Sequence, residues 1–155
     1  MLESVTQLPF NQHVGILKGS TPDALVELPA GGQYLNHVGT VHAGAQLALA
    51  EACSGEFLLR NLESSFGVLP VVRRVEAKFK RPANGRLIAN VITPVATIVD
   101  AVAALKRKGR CLVTIAVEVI DESGQCTLTA SFDWFMARAS NATPPAGDAG
   151  SSSEG

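Results

Sequence analysis

Charged and aromatic residues are scarce in this sequence. Charged side chains make up 17% of the 155 residues and aromatic side chains 5%, whereas about 25% of the residues in typical soluble domains are charged. Apolar residues make up 46%, which excludes a wholly disordered chain. This balance indicates more buried surface than a monomer of this length needs, so we expect an oligomer.

The sequence also lacks long apolar runs and paired cysteines. No apolar run reaches the roughly 18 residues of a membrane-spanning helix, and the first residues lack the basic and apolar regions of a secretory signal. Cys53, Cys111 and Cys126 form no C-x-x-C pair, so we expect reduced thiols and no metal site. These absences predict a cytoplasmic protein that has no membrane partner.

Acidic and basic residues nearly balance, but many of the basic ones lie close together in sequence. The net charge is −1, from 13 basic and 14 acidic residues, which disfavours a general polyanion binder. No aromatic residues alternate with the basic ones, so we expect no nucleic-acid partner. The basic segment is either a solvated face or an anion site for the phosphates of a small ligand. It contains Arg73, Arg74, Lys78, Lys80, Arg81, Arg86, Lys106, Arg107, Lys108 and Arg110.

The spacing of apolar residues predicts one long helix among several strands. A stretch rich in alanine and leucine and free of proline predicts a helix over residues 41–60. Alternation of apolar and charged residues predicts a half-buried strand over residues 71–80. A short helix, capped by Thr97 and Asp100, is expected to end at Lys108. Further strands are predicted over residues 24–29, 86–92, 111–120 and 125–136.

The order of these elements predicts a single domain. A strand, a long helix and then several antiparallel strands define an α+β domain over residues 1–138, with the helix against the sheet. Residues 139–155 are rich in proline, glycine and serine, so we expect a disordered tail there.

Glu51 is a solitary carboxylate on the predicted long helix. Its neighbours one turn away are small or apolar, namely Leu47, Ala48, Ser54 and Gly55. A carboxylate in such surroundings is costly to bury unless it has a partner or a raised pKa, and both are typical of functional sites. Glu56 and Arg60, by contrast, have the spacing of an ordinary solvated pair. Glu51 is therefore the candidate catalytic residue, the alternative being a partly exposed side chain at the helix edge.

Polar groups that could act with Glu51 lie at the start of this helix. The amides of Ala43 and Gly44 have no partner within the helix and could polarise a carbonyl, as an oxyanion hole does. His42 and Asn36 add polar side chains, although His42 could also be a simple cap residue. Nine residues separate His42 from Glu51, which is half a turn out of phase and about 13 Å along the axis. If both serve one site, a second chain must complete it.

These residues form a pattern that resembles a known family. The segment from Asn36 to Glu51 reads N-x-x-G-T-x-H-x-G-A-x-x-x-x-x-E and is similar to the signature of hotdog-fold acyl-CoA thioesterases, in the 4-hydroxybenzoyl-CoA and phenylacetate-pathway branch. The resemblance covers residues 10–138. It implies a long central helix wrapped by a curved antiparallel sheet, and a homodimer or homotetramer with its sites at the dimer interface.

The resemblance also implies the reaction and the roles of the site residues. The reaction is hydrolysis of an acyl-CoA thioester, in which coenzyme A is part of the substrate and no separate cofactor takes part. Glu51 is implied as nucleophile or general base, and Asn36 and His42 as groups that orient the thioester or water. The Ala43 amide, with that of Gly44, is implied as the oxyanion hole.

Three features depart from the family pattern. Ala43 stands where many members have a second glycine, and Val72 stands where some members have a serine or threonine that assists the reaction. The short helix near residues 98–108 is additional and resembles an uncharacterised branch of the superfamily.

The basic segment is a candidate site for the phosphates of coenzyme A. Arg74 and Lys78 share the charged face of the predicted strand, Arg81 ends that strand, and Lys106 lies near the end of the short helix. Arg73 falls among the apolar residues of the strand, which would direct it towards the helix and the thioester. The alternative is that its stem is buried while its guanidinium reaches the sheet edge.

Two other functions stay open on the sequence. His37 precedes Glu51 by 14 residues, a spacing associated with hotdog dehydratases, although the prolines of that group are absent here. A non-catalytic acyl-CoA-binding protein that keeps the fold and the basic residues is the second alternative. The dehydratase predicts water addition to an enoyl thioester, and the binder predicts ligand binding without turnover.

Overall fold

A six-stranded antiparallel sheet curves around one long helix. The strands are β1 (Leu17–Lys18), β2 (Val26–Leu28), β3 (Val68–Phe79), β4 (Leu87–Val91), β5 (Arg110–Ile120) and β6 (Cys126–Arg138), in the spatial order β1-β2-β4-β5-β6-β3. The helices are α1 (Pro9–Val14), α2 (Ala43–Asn61) and α3 (Val95–Lys108), and 3₁₀ turns occur at Val5–Gln7 and Gly32–Tyr34. This computed structural model describes residues 2–63 and 67–139. The predicted α+β architecture is confirmed.

The helix α2 is the predicted long helix and lies on the inner face of the sheet. It begins two residues later than predicted because His42 is its N-cap. Leu49 and Phe57 lie on its buried side, which packs across β2, β4, β5 and β6. Phe132 of β6 faces it and is fully buried. Burying each such side chain contributes roughly 1.5–3 kcal/mol, so the contact between this helix and the sheet stabilises the core.

Four of the predicted strands are present with slightly shifted ends. The elements β2, β4, β5 and β6 lie within two residues of their predicted bounds. The elements β1 and α1 were not predicted, because two residues and six residues are too few to display a period. Buried and more exposed residues alternate along β5 and β6, so one face of each strand packs on the core and the other faces outward.

The strand β3 is the uncovered edge of the sheet. It pairs with β6 on one side, and the helix α2 packs against β2, β4, β5 and β6 rather than against β3. The predicted half-buried pattern is therefore wrong, since Val75 is 43% exposed and Phe79 is exposed as well. An edge strand beyond the reach of the helix has no layer to cover its apolar side chains.

A β-bulge in the middle of β3 changes which side chains face the helix layer. Val72 pairs with Trp134 and Arg74 pairs with Asp133, so Arg73 is the extra residue. A bulged strand places two residues opposite one on its partner, which shifts the alternation by one. Val72 therefore shares the inner face with Trp134, whereas Arg73 and Arg74 belong to the outer face.

The additional helix α3 is present but begins earlier than predicted. Pro94 is its N-cap residue and no side chain caps it, so the predicted capping pair of Thr97 and Asp100 is wrong. Proline holds its own φ near the helical value, which makes it a favourable residue at this end. The helix ends as expected at Gly109, which has a left-handed φ of 74°.

The N-terminal segment, residues 2–14, is held against α2 by a buried carboxylate. The Glu56 carboxylate is 2% exposed, and it accepts hydrogen bonds from Ser4 Oγ at 3.0 Å and from the Val5 N–H at 2.9 Å. Arg60 Nε donates to its second oxygen at 2.9 Å. The predicted pair of Glu56 and Arg60 exists, but its description as an ordinary solvated pair is wrong.

The predicted disordered tail covers residues 139–155, which lie outside the described residues apart from Ala139. Within the two described ranges, no helix is long and apolar enough to cross a membrane.

The replacement Glu56→Ala is expected to destabilise the fold by about 3 kcal/mol, because Ser4 Oγ and the Val5 N–H would stay buried without an acceptor. Urea unfolding measures this loss. Arg60→Ala is the control and is expected to lose less than about 1 kcal/mol, since Arg60 is half exposed. Equal losses in the two variants would contradict the clamping role of Glu56.

Candidate active site

The loop before α2 is built around Asn36. Its Oδ1 accepts hydrogen bonds from the amides of Val38 at 3.0 Å and Thr40 at 3.1 Å, and its Nδ2 donates to Thr40 Oγ1 at 2.9 Å. Gly39 closes the turn with a φ of 79°, a conformation that favours glycine. Asn36 was predicted to orient the thioester or water. The structure places it as the residue that shapes the loop leading to His42.

His42 caps the helix with its own side chain. Its Nδ1 accepts a hydrogen bond from the Gly44 N–H at 2.8 Å, so Nε2 is the ring nitrogen that carries the proton in the neutral form. The Gly44 amide is thereby occupied, which contradicts its predicted part in an oxyanion hole. The Ala43 amide has no hydrogen-bond partner among the described residues and keeps that possible role.

His42 opens onto a cavity of about 680 Å³ beside the start of α2. Two backbone contacts fix this end of the helix, since the His42 N–H donates to Tyr34 at 2.7 Å and the Val41 N–H donates to Ala83 at 2.8 Å. Residues that line the cavity include Phe10, His13, Tyr34, His42, Gly44 and Ala48. His37, on which the dehydratase alternative rests, is exposed and does not line this cavity.

Glu51 lies in a second cavity, an apolar groove of about 760 Å³ that we name the Glu51 groove. The groove has α2 as its floor, the N-terminal segment as one wall, and the start of β3 with Trp134 as the other. Its lining includes Val5, Leu8, Glu51, Gly55, Val72 and Trp134. His42 and Glu51 thus belong to different cavities of one chain, as the helical spacing requires.

The Glu51 carboxylate has no hydrogen bond or ion pair within the described part of the chain. Burial raises the pKa of this carboxyl above its usual range, because desolvation disfavours the charged form. A half-buried carboxylate of raised pKa is a stronger base than an exposed one once it is deprotonated. Glu51 is thus a half-buried carboxylate without a compensating donor among the described residues.

Cys53 is unsuited to a nucleophilic role. The thiol is fully buried. Burial, with a smaller contribution from the negative charge of Glu56, raises its pKa to about 12. Because the thiolate is the nucleophilic form, this cysteine is an inert core residue.

Arg73 does not approach Glu51. Its guanidinium carbon lies 3.7 Å from the centre of the Phe135 ring, and Phe135 belongs to the outer face of β6, between the inward-facing Trp134 and Met136. The prediction that Arg73 points towards the helix is wrong, because the β-bulge reverses the alternation there. A cation–π contact takes the place of the expected anionic partner.

The other predicted phosphate-binding residues do not form one cluster. Arg74 and Lys78 lie on the outer face of β3, beside Asp133 and Thr129 of β6. Arg81 donates to Gln125 beyond the end of β3.

Lys106 lies at the opposite end of the sheet, where its carbonyl accepts a hydrogen bond from Arg138. The ten residue steps from Leu69 to Phe79 span about 33 Å at about 3.3 Å per step. In one chain, Arg81 and Lys106 are therefore too far apart to bind the same phosphate group.

Several residues of the two cavities could not be predicted from the motif. Trp134 lines the Glu51 groove, and its Nε1 donates to Ser54 Oγ at 3.0 Å. Val5 and Leu8 reach the same groove from a segment without a periodic pattern. The glycine at position 55 was the one available signal, since glycine within a helix often marks a close approach. Among the described residues, no group of three histidine, cysteine or acidic side chains could hold a metal ion.

The fold and the comparisons define the class of protein. A long helix wrapped by a curved antiparallel sheet is the hotdog fold. The sequence model described as "Domain of unknown function (DUF4442)" matches residues 13–136, and the chain belongs to this family. No match was found among curated proteins.

Solved structures share the hotdog fold with this chain. PA5026 of Pseudomonas aeruginosa, described as a protein of unknown function and probable thioesterase, is 22% identical with a TM-score of 0.74 over 87% of this chain and 91% of that chain. Thioesterase HI1161 of Haemophilus influenzae is 18% identical with a TM-score of 0.62 over 86% of each chain. The BH2602 protein of Bacillus halodurans, solved with CoA, is 18% identical with a TM-score of 0.55 over 72% of this chain and 69% of that chain.

Replacing the unpaired carboxylate should stabilise the fold in a pH-dependent way. Because the folded-state pKa of Glu51 is raised, its ionisation destabilises the folded state as the pH rises above the unfolded-state value. Glu51→Gln removes this penalty and should raise the Tm by a few degrees at about pH 8, with little effect at about pH 4. Thermal unfolding across this range measures the difference. A variant equally stabilised at both pH values would contradict the assigned cause.

Proposed function

We propose that this protein hydrolyses an acyl-CoA thioester at a site built by two chains. The observation that carries the proposal is Glu51, a half-buried carboxylate that has no partner within residues 2–63 and 67–139 and lies in an apolar groove beside an uncovered edge strand. The thioesterase descriptions of PA5026 and HI1161, and the CoA in the BH2602 structure, support the same chemistry.

The edge strand β3 supplies a surface for the second chain. One side of its backbone has no neighbouring strand in the part of the chain that the structure describes, and unpaired edges readily accept another strand. Val71, Val75 and Phe79 expose apolar surface along it. Antiparallel pairing of two copies about a two-fold axis between Arg73 and Arg74 uses the whole strand. Such an interface is self-complementary, as in most homodimers.

This two-fold axis brings the halves of the site together. The Val41–Ala83 hydrogen bond ties the start of α2 to the segment just beyond the end of β3. Antiparallel pairing places that end of the partner's strand beside the start of β3, where Val68 and Val72 wall the Glu51 groove. The helix start of one chain then lies close to Glu51 of the other, as the spacing of nine residues requires.

In the proposed site, one chain supplies the groups that stabilise the oxyanion and the other chain supplies Glu51. The unpaired Ala43 amide lies at a helix N-terminus, where the helix dipole favours negative charge, and it is suited to stabilise the oxyanion of the thioester carbonyl. The Nε2 proton of His42 is a second donor for that oxygen. Glu51 of the other chain either attacks the carbonyl carbon or takes a proton from an attacking water, and in both cases the C–S bond breaks and the CoA thiolate leaves. After direct attack, water hydrolyses the resulting acyl–glutamyl anhydride, which releases the carboxylic acid and restores Glu51.

The same symmetry joins the separated basic residues. In the proposed dimer, Arg81 of one chain approaches the end of the sheet that carries Lys106 of the other, and the two sites would bind CoA phosphates with one cation from each chain. Arg73, Arg74 and Lys78 lie on the outer face and are therefore not part of the proposed substrate site. Coenzyme A enters as part of the substrate, and the proposed reaction needs no separate cofactor.

Two inactive variants should restore activity when mixed. Glu51→Gln alone is expected to lower kcat on a panel of acyl-CoA thioesters by about 10²–10⁴-fold, because it removes the nucleophile or base. His42→Ala is expected to lower kcat as well, because it removes a proposed oxyanion donor. Unfolding and refolding the two variants together yields mixed dimers with one intact site. Activity should then approach about a quarter of wild type, since half of random dimers are mixed and each has one site of two.

The mixing experiment excludes the competing explanations. Recovery without refolding together, or no recovery although light scattering shows dimers, would contradict a site shared between chains. Wild-type protein that binds acyl-CoA but cleaves no member of the panel would be a binding protein, and the hydrolase proposal would fail.

Removing charge at the proposed phosphate site should affect CoA thioesters selectively. Arg81→Ala and Lys106→Ala are each expected to raise KM several-fold for a CoA thioester and to leave KM for the pantetheine thioester, which lacks the adenosine phosphates, nearly constant. About 0.5 M salt should act in the same direction. Arg74→Ala is the matched control, because Arg74 is exposed on the outer face. Equal changes for both substrates would place the phosphates elsewhere.

A further inference from the structure

The Glu51 groove runs along α2 from the carboxylate towards the end of the helix. Glu51, Gly55, Leu59 and Leu62 follow one another along its floor, and the eleven residue steps from Glu51 to Leu62 correspond to about 16 Å along the axis. The carboxylate is at one end of the floor, and the surface beyond it is apolar.

Gly55 keeps the middle of the floor open. A Cβ atom at this position would lie 3.4 Å from Val5 Cγ1 and 3.7 Å from Trp134 Cη2. Glycine within a helix costs about 0.5–1 kcal/mol relative to alanine. An alanine here would fit, although closely, and would narrow the groove between its two walls. The glycine therefore costs helix stability at the point where Val5 and Trp134 both come close to the helix.

The wall opposite β3 is fixed rather than loosely packed. Both backbone groups of Val5 are bonded to buried side chains, since its N–H donates to the Glu56 carboxylate and its carbonyl accepts from Asn11 Nδ2 at 2.9 Å. Ser4 Oγ adds a second bond to Glu56. These bonds hold the apolar side chain of Val5 against the groove before any ligand binds.

The far end of the groove disfavours anionic ligands. Glu63 follows Leu62 directly and lines this end, and Leu2 and Glu3 also line the groove. A ligand that ends in a carboxylate would meet negative charge on the groove lining, whereas an alkyl end would meet leucine side chains. The charge pattern favours a simple hydrocarbon over a dicarboxylic or amino-acid chain.

We infer that the Glu51 groove binds the acyl chain of the substrate as an extended, unbranched hydrocarbon, with the N-terminal segment as the wall that limits its width. Carbon–carbon bonds of about 1.5 Å advance an extended chain by about 1.25 Å each, so a floor of about 16 Å holds about 12 carbons. The inference rests on the proposed function, because it takes the thioester carbonyl to lie at Glu51.

Tryptophan fluorescence tests the position of the chain without turnover. Trp134 is the one tryptophan of the sequence and lines the groove beside Gly55, four residues or about 6 Å beyond Glu51. The probes are dodecanoyl-CoA brominated at carbon 6 or at carbon 12, added to Glu51→Gln protein, with free CoA as control. Bromine at carbon 6 should quench Trp134 most strongly, bromine at carbon 12 less, and free CoA not at all.

Steady-state kinetics tests the width of the groove. In Gly55→Ala, the ratio of kcat/KM for dodecanoyl-CoA to that for butyryl-CoA should fall by roughly tenfold, because the added methyl displaces contacts worth about two methylene groups. Val99→Ala is the control, since Val99 is exposed on α3, outside both cavities. Its ratio should equal that of wild type. A Gly55→Ala ratio equal to wild type would overturn the inference, provided the variant melts at or above the wild-type temperature.

The two experiments separate the inference from the proposed function. Position-dependent quenching without hydrolysis of any thioester would keep the groove as an acyl site and refute the hydrolase. Hydrolysis without such quenching would support the proposed hydrolase activity but overturn the inference that the groove binds the acyl chain. The groove would then be assigned to contact with the second copy of the chain.

Discussion

The position of α2 on the sheet determines where each group of the candidate site lies. Two buried hydrogen bonds fix this position, one from Thr127 Oγ1 to Gln46 Oε1 at 2.9 Å and one from Trp134 Nε1 to Ser54 Oγ at 3.0 Å. The eight residue steps from Gln46 to Ser54 span about 12 Å of helix, so the helix can neither slide nor rotate without breaking a buried bond. Glu51 lies between these two points and is directed away from the core, towards β3.

The uncovered edge follows from the same placement. A helix centred on β4 and β5 leaves β3 beyond its reach, and β3 is twelve residues long whereas the opposite edge strand β1 has two. Short edge strands limit unwanted pairing, and long apolar ones promote it. The proposed dimer turns this exposed edge into an interface and supplies Glu51 with the donors that its own chain places in another cavity.

What the sequence could predict depended on how local the responsible interaction is. The isolation of Glu51 could be predicted, because the regular period of a helix places the residues three and four positions away beside it. The direction of Arg73 depends on a β-bulge, which simple alternation does not reveal. The burial of Glu56 depends on Ser4 and Val5, more than fifty residues distant. The loss of the Gly44 amide as a donor depends on the rotamer of His42, which no motif encodes.

Glu51 and Glu56 show how surroundings assign different roles to the same side chain on one helix. Glu56 accepts three hydrogen bonds and holds the N-terminal segment in place. Glu51 has no such donors among the described residues, and its ionised form is disfavoured by burial. Proteins keep an unsatisfied polar group where function requires it and compensate elsewhere. In the proposed site, the hydrogen bonds accepted by Glu56 are the compensating interactions, and they lie next to Glu51, because the segment held by Glu56 forms a wall of the groove in which Glu51 lies.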